Sequence, residues 1–336
     1  MKKIGQQTLV FSNTPAVISA AAIVGPKEGQ GPLKTNFDLV LEDNLFGERT
    51  WEKAECKMLQ ESVTSAVNKS DLKIEEIDFL LAGDLLNQTI SANFAARQLA
   101  IPFLGLYGAC STFTESLLLA AVLVDGTYAM HVMAAVSSHH DAAERQFRFP
   151  TELGNQRPPT AQWTVTGAGA ALVGPKQDGP CITYATIGKV IDLGVKDSHD
   201  MGSAMAPAAA DTLAVHFKDT GRSVDDYDLI LTGDLGGLGK SLMQQLTERQ
   251  GYKLGDKYSD CGVLIYDSTQ DTHAGGSGCA CAAVVTCGYV LDSIRLKKFQ
   301  RVLIIGTGAL LSPTSIQQGE SIPGIAHAVS LENVTF

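Results

Sequence analysis

The chain has 336 residues, of which 45% are hydrophobic and 18% charged, so its length favours two domains or one duplicated domain. Its net charge of −10 argues against electrostatic binding to nucleic acid or to an anionic membrane surface. The seven cysteines are an odd number at irregular spacing. They do not predict a disulfide framework and favour a reducing compartment.

The beginning of the chain does not predict a signal peptide. Lys2 and Lys3 are basic, but the polar residues 5–8 interrupt the apolar region that would have to follow. The longest apolar run, residues 117–124, is far too short to span a bilayer. We therefore expect a soluble chain of cytoplasmic type with no transmembrane helix.

Strands and helices alternate along the first half. The predicted strands lie at 8–24, 77–82, 102–107, 131–136 and 164–173, and the predicted helices at 50–69, 93–99 and 113–124. Residues 141–163, which are polar and contain three prolines, predict an irregular connection. A connection of that length in a compact domain is usually functional or part of an interface.

The second half repeats parts of the first. Residues 227–234 mirror residues 77–84, both ending in Gly-Asp, at an offset of 150. Residues 301–306 mirror residues 131–136 at an offset of 170. Alternating strands and helices imply mostly parallel sheets with helices on their faces. The repeat thus predicts an α/β protein built from two similar halves about a pseudo-twofold axis.

Cys110 lies where a predicted strand meets a predicted helix. The unpaired N–H groups and the positive dipole end of a helix N-terminus favour a thiolate there. Thr112 and Glu115 have the spacing of a capping box, and Gly126 is expected to end the helix. The alternative is a small apolar residue packed in a core. Asp84 and Asp234 fall, like Cys110, at carboxyl ends of strands, where ligands bind in such sheets.

This arrangement resembles the thiolase and ketoacyl synthase superfamily over most of the chain. The superfamily features are the Gly-Ala-Cys-Ser junction at 108–111, the glycine-interrupted strand at 166–170 and the glycine-rich turn near Gly276. Longer strings resemble a group of sporulation proteins from endospore-forming bacteria, and they lie at 25–28, 81–88, 108–112, 143–148, 200–207 and 275–281.

The resemblance implies a thiolase-like fold layered αβαβα. Its halves are expected at 1–175 and 176–336, with 139–163 as an inserted connection. It also implies binding of dipicolinic acid (pyridine-2,6-dicarboxylate), free or as its calcium complex, and a part in moving that compound into the developing spore. Implied partners are membrane proteins of the same sporulation operon at the inner spore membrane. Analogy with condensing enzymes implies a homodimer with the strand 131–136 near the twofold axis.

Condensing enzymes of this superfamily pair the cysteine with two polar partners, His with His or Asn, on turns of the second half. The corresponding turns here read Gly-Asp-Leu-Gly at 233–236 and Gly-Gly-Ser at 275–277, and His273 is misplaced for either role. A neighbouring Asp would raise the pKa of a thiol. We therefore predict a protein without catalytic activity. The backbone N–H groups of Cys110 and Gly278 would remain to bind an anion.

A dicarboxylate needs arginines or N–H donors for its oxygens and an apolar slot for its ring. Arg145 and Arg148 are the preferred cations, with surface or dimer-interface charge as an equal alternative. His139 and His140 are possible donors. Asp84 and Asp234 would cap helices or meet a calcium–dipicolinate complex through its metal. The predicted ligand-binding set is Cys110, Ser111, Asp84, His139, Arg145, Arg148, Asp234, Gly276, Ser277 and Cys279.

Two further readings of the sequence stay open as alternatives. The first is an active acyltransferase or condensing enzyme that uses Cys110, and the second is a scaffold subunit with a vestigial pocket. Cys279 and Cys281 with His273 suggest metal ligands only faintly, because no second cluster completes a set of four. We expect packed thiols there, and no metal, cofactor or nucleic acid.

Overall fold

The computed structural model describes residues 2–148 and 157–336. The strands in those residues are β1 (Lys3–Ile4), β2 (Thr8–Val10), β3 (Ala16–Val24), β4 (Leu39–Val40), β5 (Phe79–Gly83), β6 (Phe103–Gly105), β7 (Val132–Ser138), β8 (Trp163–Thr164), β9 (Gly167–Gly174), β10 (Gly179–Thr186), β11 (Leu229–Thr232), β12 (Tyr258–Asp260), β13 (Gly276–Ser277), β14 (Arg301–Ala309) and β15 (Gly324–Val334).

The α-helices alternate with these strands over most of the described chain. They are α1 (Trp51–Asn68), α2 (Ile90–Leu99), α3 (Thr112–Asp125), α4 (His140–Phe147), α5 (Met201–Thr220), α6 (Gly236–Arg249), α7 (Cys261–Ile265), α8 (Cys279–Val285), α9 (Leu291–Arg295) and α10 (Pro313–Gln317). A π-helical turn, Thr286–Val290, joins α8 to α9.

Each half of the chain builds a five-stranded sheet, and the two sheets have the same strand order. The strand order β6-β5-β7-β9-β3 in the first half corresponds to β12-β11-β14-β15-β10 in the second. In both, the first three strands run parallel and the next two antiparallel. The halves meet where Ala16 of β3 pairs with Cys181 of β10. This duplication is the one that the repeats at offsets of 150 and 170 predict.

The helices sort into three layers around the two sheets. Helices α3 and α8 lie between the sheets, and both are buried along nearly their whole length. A helix that is apolar on all sides belongs in such a place. Helices α1 and α2 cover the outer face of the first sheet, and α5 and α6 cover that of the second. The result is the expected αβαβα layering.

Glycines in the strands let the central helices approach the sheets closely. A Cβ on Gly169 of β9 would lie 2.7 Å from the Cβ of Ala283 in α8. A Cβ on Gly306 of β14 would collide with the hydroxyl of Thr114 in α3. These two contacts hold α3 and α8 close to the sheets. The residues just before the two helices, Cys110 and Gly278, lie beside each other, and the candidate site is there.

The structure corrects three expectations about individual elements. The connection after β7 is not irregular throughout, because α4 occupies residues 140–147 near its start. Every residue of β7 is buried, and β5 and β9 pair with its two sides, so this strand offers no free edge to a second copy. Thr112 and Glu115 do not form a capping box, because α3 begins at Thr112 itself and Ser111 precedes it.

In the described residues, no helix is both long and apolar enough to cross a membrane.

Candidate functional site at the start of helix α3

The turn that carries Cys110 is held by its own hydroxyl groups. Thr112 Oγ1 accepts a hydrogen bond from Gly108 N (2.9 Å) and donates one to Ala109 O (2.6 Å). Ser111 Oγ donates to Gly108 O (2.7 Å). Ala109 has a φ of +50°, which is rare for a residue with a side chain. The hydroxyl groups therefore fix a strained turn that presents Cys110 at the start of α3.

The thiol of Cys110 is buried, with 6% of the residue exposed. Burial raises its pKa well above the usual value, and the neighbouring Asp234 carboxyl raises it further. The N–H of Gly278 acts in the opposite direction but does not prevail. The expectation of a thiolate favoured by the helix N-terminus is therefore wrong, because desolvation outweighs the dipole.

Asp234 is completely buried and fully hydrogen-bonded. Its carboxylate accepts hydrogen bonds from Thr307 Oγ1 (2.7 Å), Gly278 N (2.9 Å) and Ser277 Oγ (3.2 Å). Two expectations are corrected by these contacts. Asp234 stabilises the turn before α8 instead of capping a helix. The Gly278 N–H already donates to Asp234, so it is not free to bind an anion.

The two turns of the second half converge on the cysteine as the resemblance implied. Asp234 follows β11 and Ser277 ends β13, and both lie beside Cys110. The two turns on which the resemblance places the His or Asn partners thus present a carboxylic acid and a hydroxyl to Cys110.

Cys110 opens into a narrow cleft of about 40 Å³ between the two halves. Most of its wall is apolar, and Arg148, Thr164, Ser198 and Ser277 supply its polar side chains. The apolar and small lining residues are Leu85, Tyr107, Ala109, Ala143, Phe147, Met201, Ala309 and Leu311. A mostly apolar wall with a few polar groups is the usual composition of a small-molecule site.

The two predicted arginines have different positions. Arg148 follows the last residue of α4, lines the cleft and forms an ion pair with Glu144. Arg145 faces away from the cleft, pairs with Glu52 and lies over the ring of Trp51. The placement of Arg145 in the same site as Cys110 is therefore wrong.

Asp84 and Cys279 lie behind the cleft wall. Asp84 accepts hydrogen bonds from Leu86 N (2.7 Å) and Ala92 N (2.8 Å), so it caps the segment that leads into α2, as expected. Burial raises its pKa to about 6. Cys279 Sγ donates to Ser137 O (2.9 Å) and is completely buried. Neither Asp84 nor Cys279 lines the cleft, so neither is placed to meet a calcium complex there.

The remaining predicted residues also lie outside the cleft lining. His139 is buried with Nε2 2.7 Å from Asn44 O, and burial lowers its pKa. His140 stacks on Trp163 with a ring separation of 3.6 Å, and burial lowers its pKa to about 3. Ser111 points back into its own turn, and Gly276 packs against α7. Of the predicted set, the structure brings only Cys110, Arg148 and Ser277 to the cleft, with Asp234 in contact behind them.

The apolar walls of the cleft could not be predicted from the sequence. Tyr107, Phe147, Met201 and Leu311 come from four separate segments whose spacing carries no common pattern. The repeat could, however, have predicted Thr307 as the partner of Asp234. Thr307 directly follows the strand residues 301–306, at the same carboxyl-end position that marks Asp234.

In the residues that the structure describes, no three His, Cys, Asp or Glu side chains converge as metal ligands. Cys279 and Cys281 are buried free thiols, and His273 contacts Asp271 instead. The faint resemblance of these three residues to a metal site therefore has no geometric support.

Several solved structures resemble this chain in fold at low sequence identity. The 3-oxoacyl-[acyl-carrier-protein] synthase III of Aquifex aeolicus is 13% identical with a TM-score of 0.57, covering 95% of this chain and 99% of its own. OleA of Xanthomonas campestris is 13% identical with a TM-score of 0.64, covering 96% and 98%. Human mitochondrial 3-ketoacyl-CoA thiolase is 13% identical with a TM-score of 0.58, covering 97% and 99%. These likenesses confirm the thiolase-like fold.

A much closer likeness is to a sporulation protein. Stage V sporulation protein AD of Bacillus subtilis is 52% identical over 332 residues, which are 99% of this chain and 98% of that protein. The family described as Stage V sporulation protein AD (SpoVAD) matches residues 5–332. The chain therefore belongs to the Stage V sporulation protein AD family and has a thiolase-like fold.

Proposed function

We propose that this chain binds dipicolinic acid in the cleft at Cys110 without catalysing a reaction, and that it takes part in dipicolinate uptake into the developing spore. The family membership supports a role in sporulation. The observation that carries the proposal is the pair formed by Cys110 and Asp234 at the floor of an apolar cleft. A buried carboxyl beside the cysteine opposes the thiolate that nucleophilic catalysis requires.

The cleft supports binding of a flat dicarboxylate by its distribution of groups. Arg148 offers a charged fork for one carboxylate, and the hydroxyls of Thr164 and Ser198 are donors for the other. Tyr107, Phe147 and Met201 supply apolar surface for the ring. The ion pair of Arg148 with Glu144 is partly buried, so a ligand carboxylate would compete with Glu144 for the guanidinium.

The proposed setting includes a membrane and further proteins. The ligand would be taken as the free acid or as its calcium complex, and the chain would act at the inner spore membrane with membrane proteins of the same operon. A homodimer remains part of the proposal, but through a different strand. Among the described strands of the first half, β6 forms that sheet's outer edge, and Leu104 is half exposed there.

Binding measurements on two arginine variants test the proposal. Titration of the purified chain with dipicolinate and with the monoacid pyridine-2-carboxylate, with and without Ca²⁺, should give saturable binding that is selective for the diacid. Arg148→Gln should weaken dipicolinate binding by about tenfold or more, because a charge-assisted bidentate contact contributes about 1.5–3 kcal/mol. Arg145→Gln is the matched control, since it removes the same charge from the same segment outside the cleft, and it should bind normally.

The same experiment separates the alternatives. Equal binding of the diacid and the monoacid, or equal losses in both variants, would contradict the proposed site. An acyl adduct on Cys110 after incubation with an acyl thioester, detected by mass spectrometry, would instead support an acyl-transferring enzyme, which the fold of the condensing enzymes makes the second candidate. If the chain shows neither dipicolinate binding nor acylation of Cys110, the scaffold subunit is the remaining candidate.

A further inference from the structure

Helix α4 forms the wall between two cavities of very different size. On one side lies the cleft at Cys110, which measures about 40 Å³. On the other side lies an open groove of about 1090 Å³ between α1, α2 and α4. The cleft is lined by Ala143, Phe147 and Arg148 of this segment, and the groove by Ala142, Arg145 and Gln146. One face of α4 therefore borders a narrow space and another face borders a wide one.

The cleft is too narrow to accept a pyridine dicarboxylate in this conformation. A space of about 40 Å³ has room for roughly three water molecules, since each needs about 10–15 Å³. Small-molecule sites usually measure about 300–1,000 Å³. A ligand of that class can enter only if part of the wall moves outward.

Helix α4 has little apolar anchoring. It spans eight residues, and its buried residues are the small side chains Ala142 and Ala143. Its one large apolar side chain, Phe147, is partly buried on the cleft side. Cys110, in contrast, belongs to the central hydrophobic cluster. Local opening costs less free energy where few apolar contacts are buried, so α4 is the part of the wall suited to move.

The first turn of α4 is fixed to its surroundings. His140 stacks on Trp163 with a ring separation of 3.6 Å, and the His140 N–H donates to Thr166 Oγ1 (3.0 Å). In the same turn, Asn44 Nδ2 donates to Asp141 Oδ2 (3.1 Å). These contacts keep the start of α4 in place, so this turn can serve as a hinge.

The last turn of α4 is held mainly by one side chain. Gln146 Oε1 accepts a hydrogen bond from Asn87 N (2.8 Å), and Gln146 Nε2 donates one to Leu85 O (3.1 Å). The ion pair of Arg145 with Glu52 adds little stability, because the Arg145 side chain is half exposed. The end of α4 therefore stays closed through the two hydrogen bonds of Gln146 to the loop after β5.

The groove supplies the space for an outward movement. Its other walls include the outward faces of α1 and α2, where Lys53 and Gln98 are exposed to solvent. In the part of the chain that the structure describes, no packed side chain fills the groove. The end of α4 can move in that direction without displacing another element.

We propose that α4 is a hinged wall that swings into the groove to admit the dicarboxylate to the cleft. The movement pivots at His140 and breaks the two hydrogen bonds of Gln146. It carries Phe147 and Arg148 outward, which widens the cleft. The identity of the ligand rests on the function proposed above, whereas the movement of α4 does not.

Alkylation of Cys110 tests the movement without any ligand. Iodoacetamide reaches this buried thiol through the cleft, so its rate at fixed pH reports how often the wall is open. Gln146→Ala removes both hydrogen bonds that hold the last turn and should raise the rate roughly tenfold. Peptide mass spectrometry should show unchanged rates for Cys281 and Cys287, which lie in the central cluster.

Gln98→Ala is the matched control for this experiment. It removes an amide from the α2 side of the same groove and leaves α4 unaltered, so Cys110 should react as in the wild type. Equal rates for the wild type and Gln146→Ala would overturn the proposal. Faster reaction of Cys281 and Cys287 along with Cys110 would also overturn it, because the whole fold would then have loosened.

The two tryptophans of the chain both contact α4 and report where it bends. Trp163 stacks on His140 at the hinge, and the guanidinium of Arg145 lies 5.2 Å from the ring centre of Trp51. Saturation with dipicolinate should therefore change the emission of Trp51, measured in a Trp163→Phe variant whose binding is followed by calorimetry. Binding with unchanged Trp51 emission would overturn the movement. Absence of binding would contradict the proposed function instead, and the alkylation rates would still decide whether α4 moves.

Discussion

At the scale of single residues, Cys110 has its reactivity set by opposing effects. A helix N-terminus favours a thiolate by about 0.3–1 kcal/mol near a surface, whereas burying a charge costs several kcal/mol. Burial and Asp234 both act against the charged form, so the pKa of Cys110 is raised. The helix start therefore positions this thiol without activating it.

Alkylation kinetics should report this raised pKa. Iodoacetamide should modify Cys110 slowly at neutral pH, with a rate that rises only above the usual pKa of a thiol, because the thiolate is the reactive form. Asp234→Asn removes the carboxylate charge, which lowers the pKa of Cys110 and should speed alkylation near pH 8 by roughly tenfold for each unit of change.

Peptide mass spectrometry distinguishes Cys110 from the six other buried thiols. Thr307→Val is the control, because it removes one hydrogen bond to Asp234 and leaves its carboxylate in place. An Asp234→Asn variant whose Cys110 reacts no faster than the wild type would mean that the carboxyl does not act on the thiol.

At the scale of elements, one helix decided how well the ligand site could be predicted. The prolines of 141–163 suggested an irregular connection, whereas α4 fills its start. Arg148 lies just beyond the end of α4, with a φ of −130°, and turns into the cleft, while Arg145 remains in the helix and faces Glu52. The sequence does not distinguish the two arginines, because the different directions of their side chains depend on where α4 ends.

The segment between β5 and α2 holds a buried acid pair. Asp84 caps this segment and lies near Glu55 of α1. Burial and the charge of Asp84 both raise the pKa of Glu55. Glu55 accepts a hydrogen bond from Ser137 Oγ (3.0 Å). A raised folded-state pKa means that the folded protein holds the proton more tightly than the unfolded chain does.

Stability should therefore fall as pH rises through this pair. The contribution of Asp84 is complete below its unfolded pKa of about 3.9 and is lost as pH passes its folded value of about 6. Glu55→Gln removes one charge from the pair, so its unfolding free energy should decline less between pH 5 and pH 8, by on the order of 1–3 kcal/mol. Urea unfolding at each pH measures the effect.

Glu61→Gln is the matched control for this prediction, since Glu61 is exposed on the same helix and should leave the pH profile of the wild type unchanged. Parallel pH profiles for wild type and Glu55→Gln would mean that the pair does not titrate in this range.

At the scale of the whole molecule, most of the fold could be predicted from the internal repeat. Two Gly-Asp strand ends and two hydrophobic strands were enough to predict the duplicated halves, because equivalent strands must lie in equivalent places. The closing strands β10 and β15 were not predicted. They lie in the second half, where the sequence pattern marked only two strands, and their place next to β3 and β14 is set by long-range pairing.

The central layer couples the two halves into one core. Leu117 of α3 is 1% exposed and belongs to a cluster that includes Val284 of α8 and Val329 of β15. Leu59 of α1 belongs to a separate cluster in the first half only. Since the central cluster contains both halves, the chain should unfold in one cooperative transition although its fold is duplicated.

Leu117→Ala should therefore lower the stability of both halves together. The cavity should cost about 2–5 kcal/mol and shift a single calorimetric transition to lower temperature, without splitting it. Leu59→Ala, although its cluster lies in one half, should shift the same single transition, and Leu193→Ala on the surface should leave it unchanged. Calorimetric and van't Hoff enthalpies should agree in the wild type and both core variants. A second transition that resists Leu59→Ala would mean that the halves unfold independently and that the central layer does not couple them.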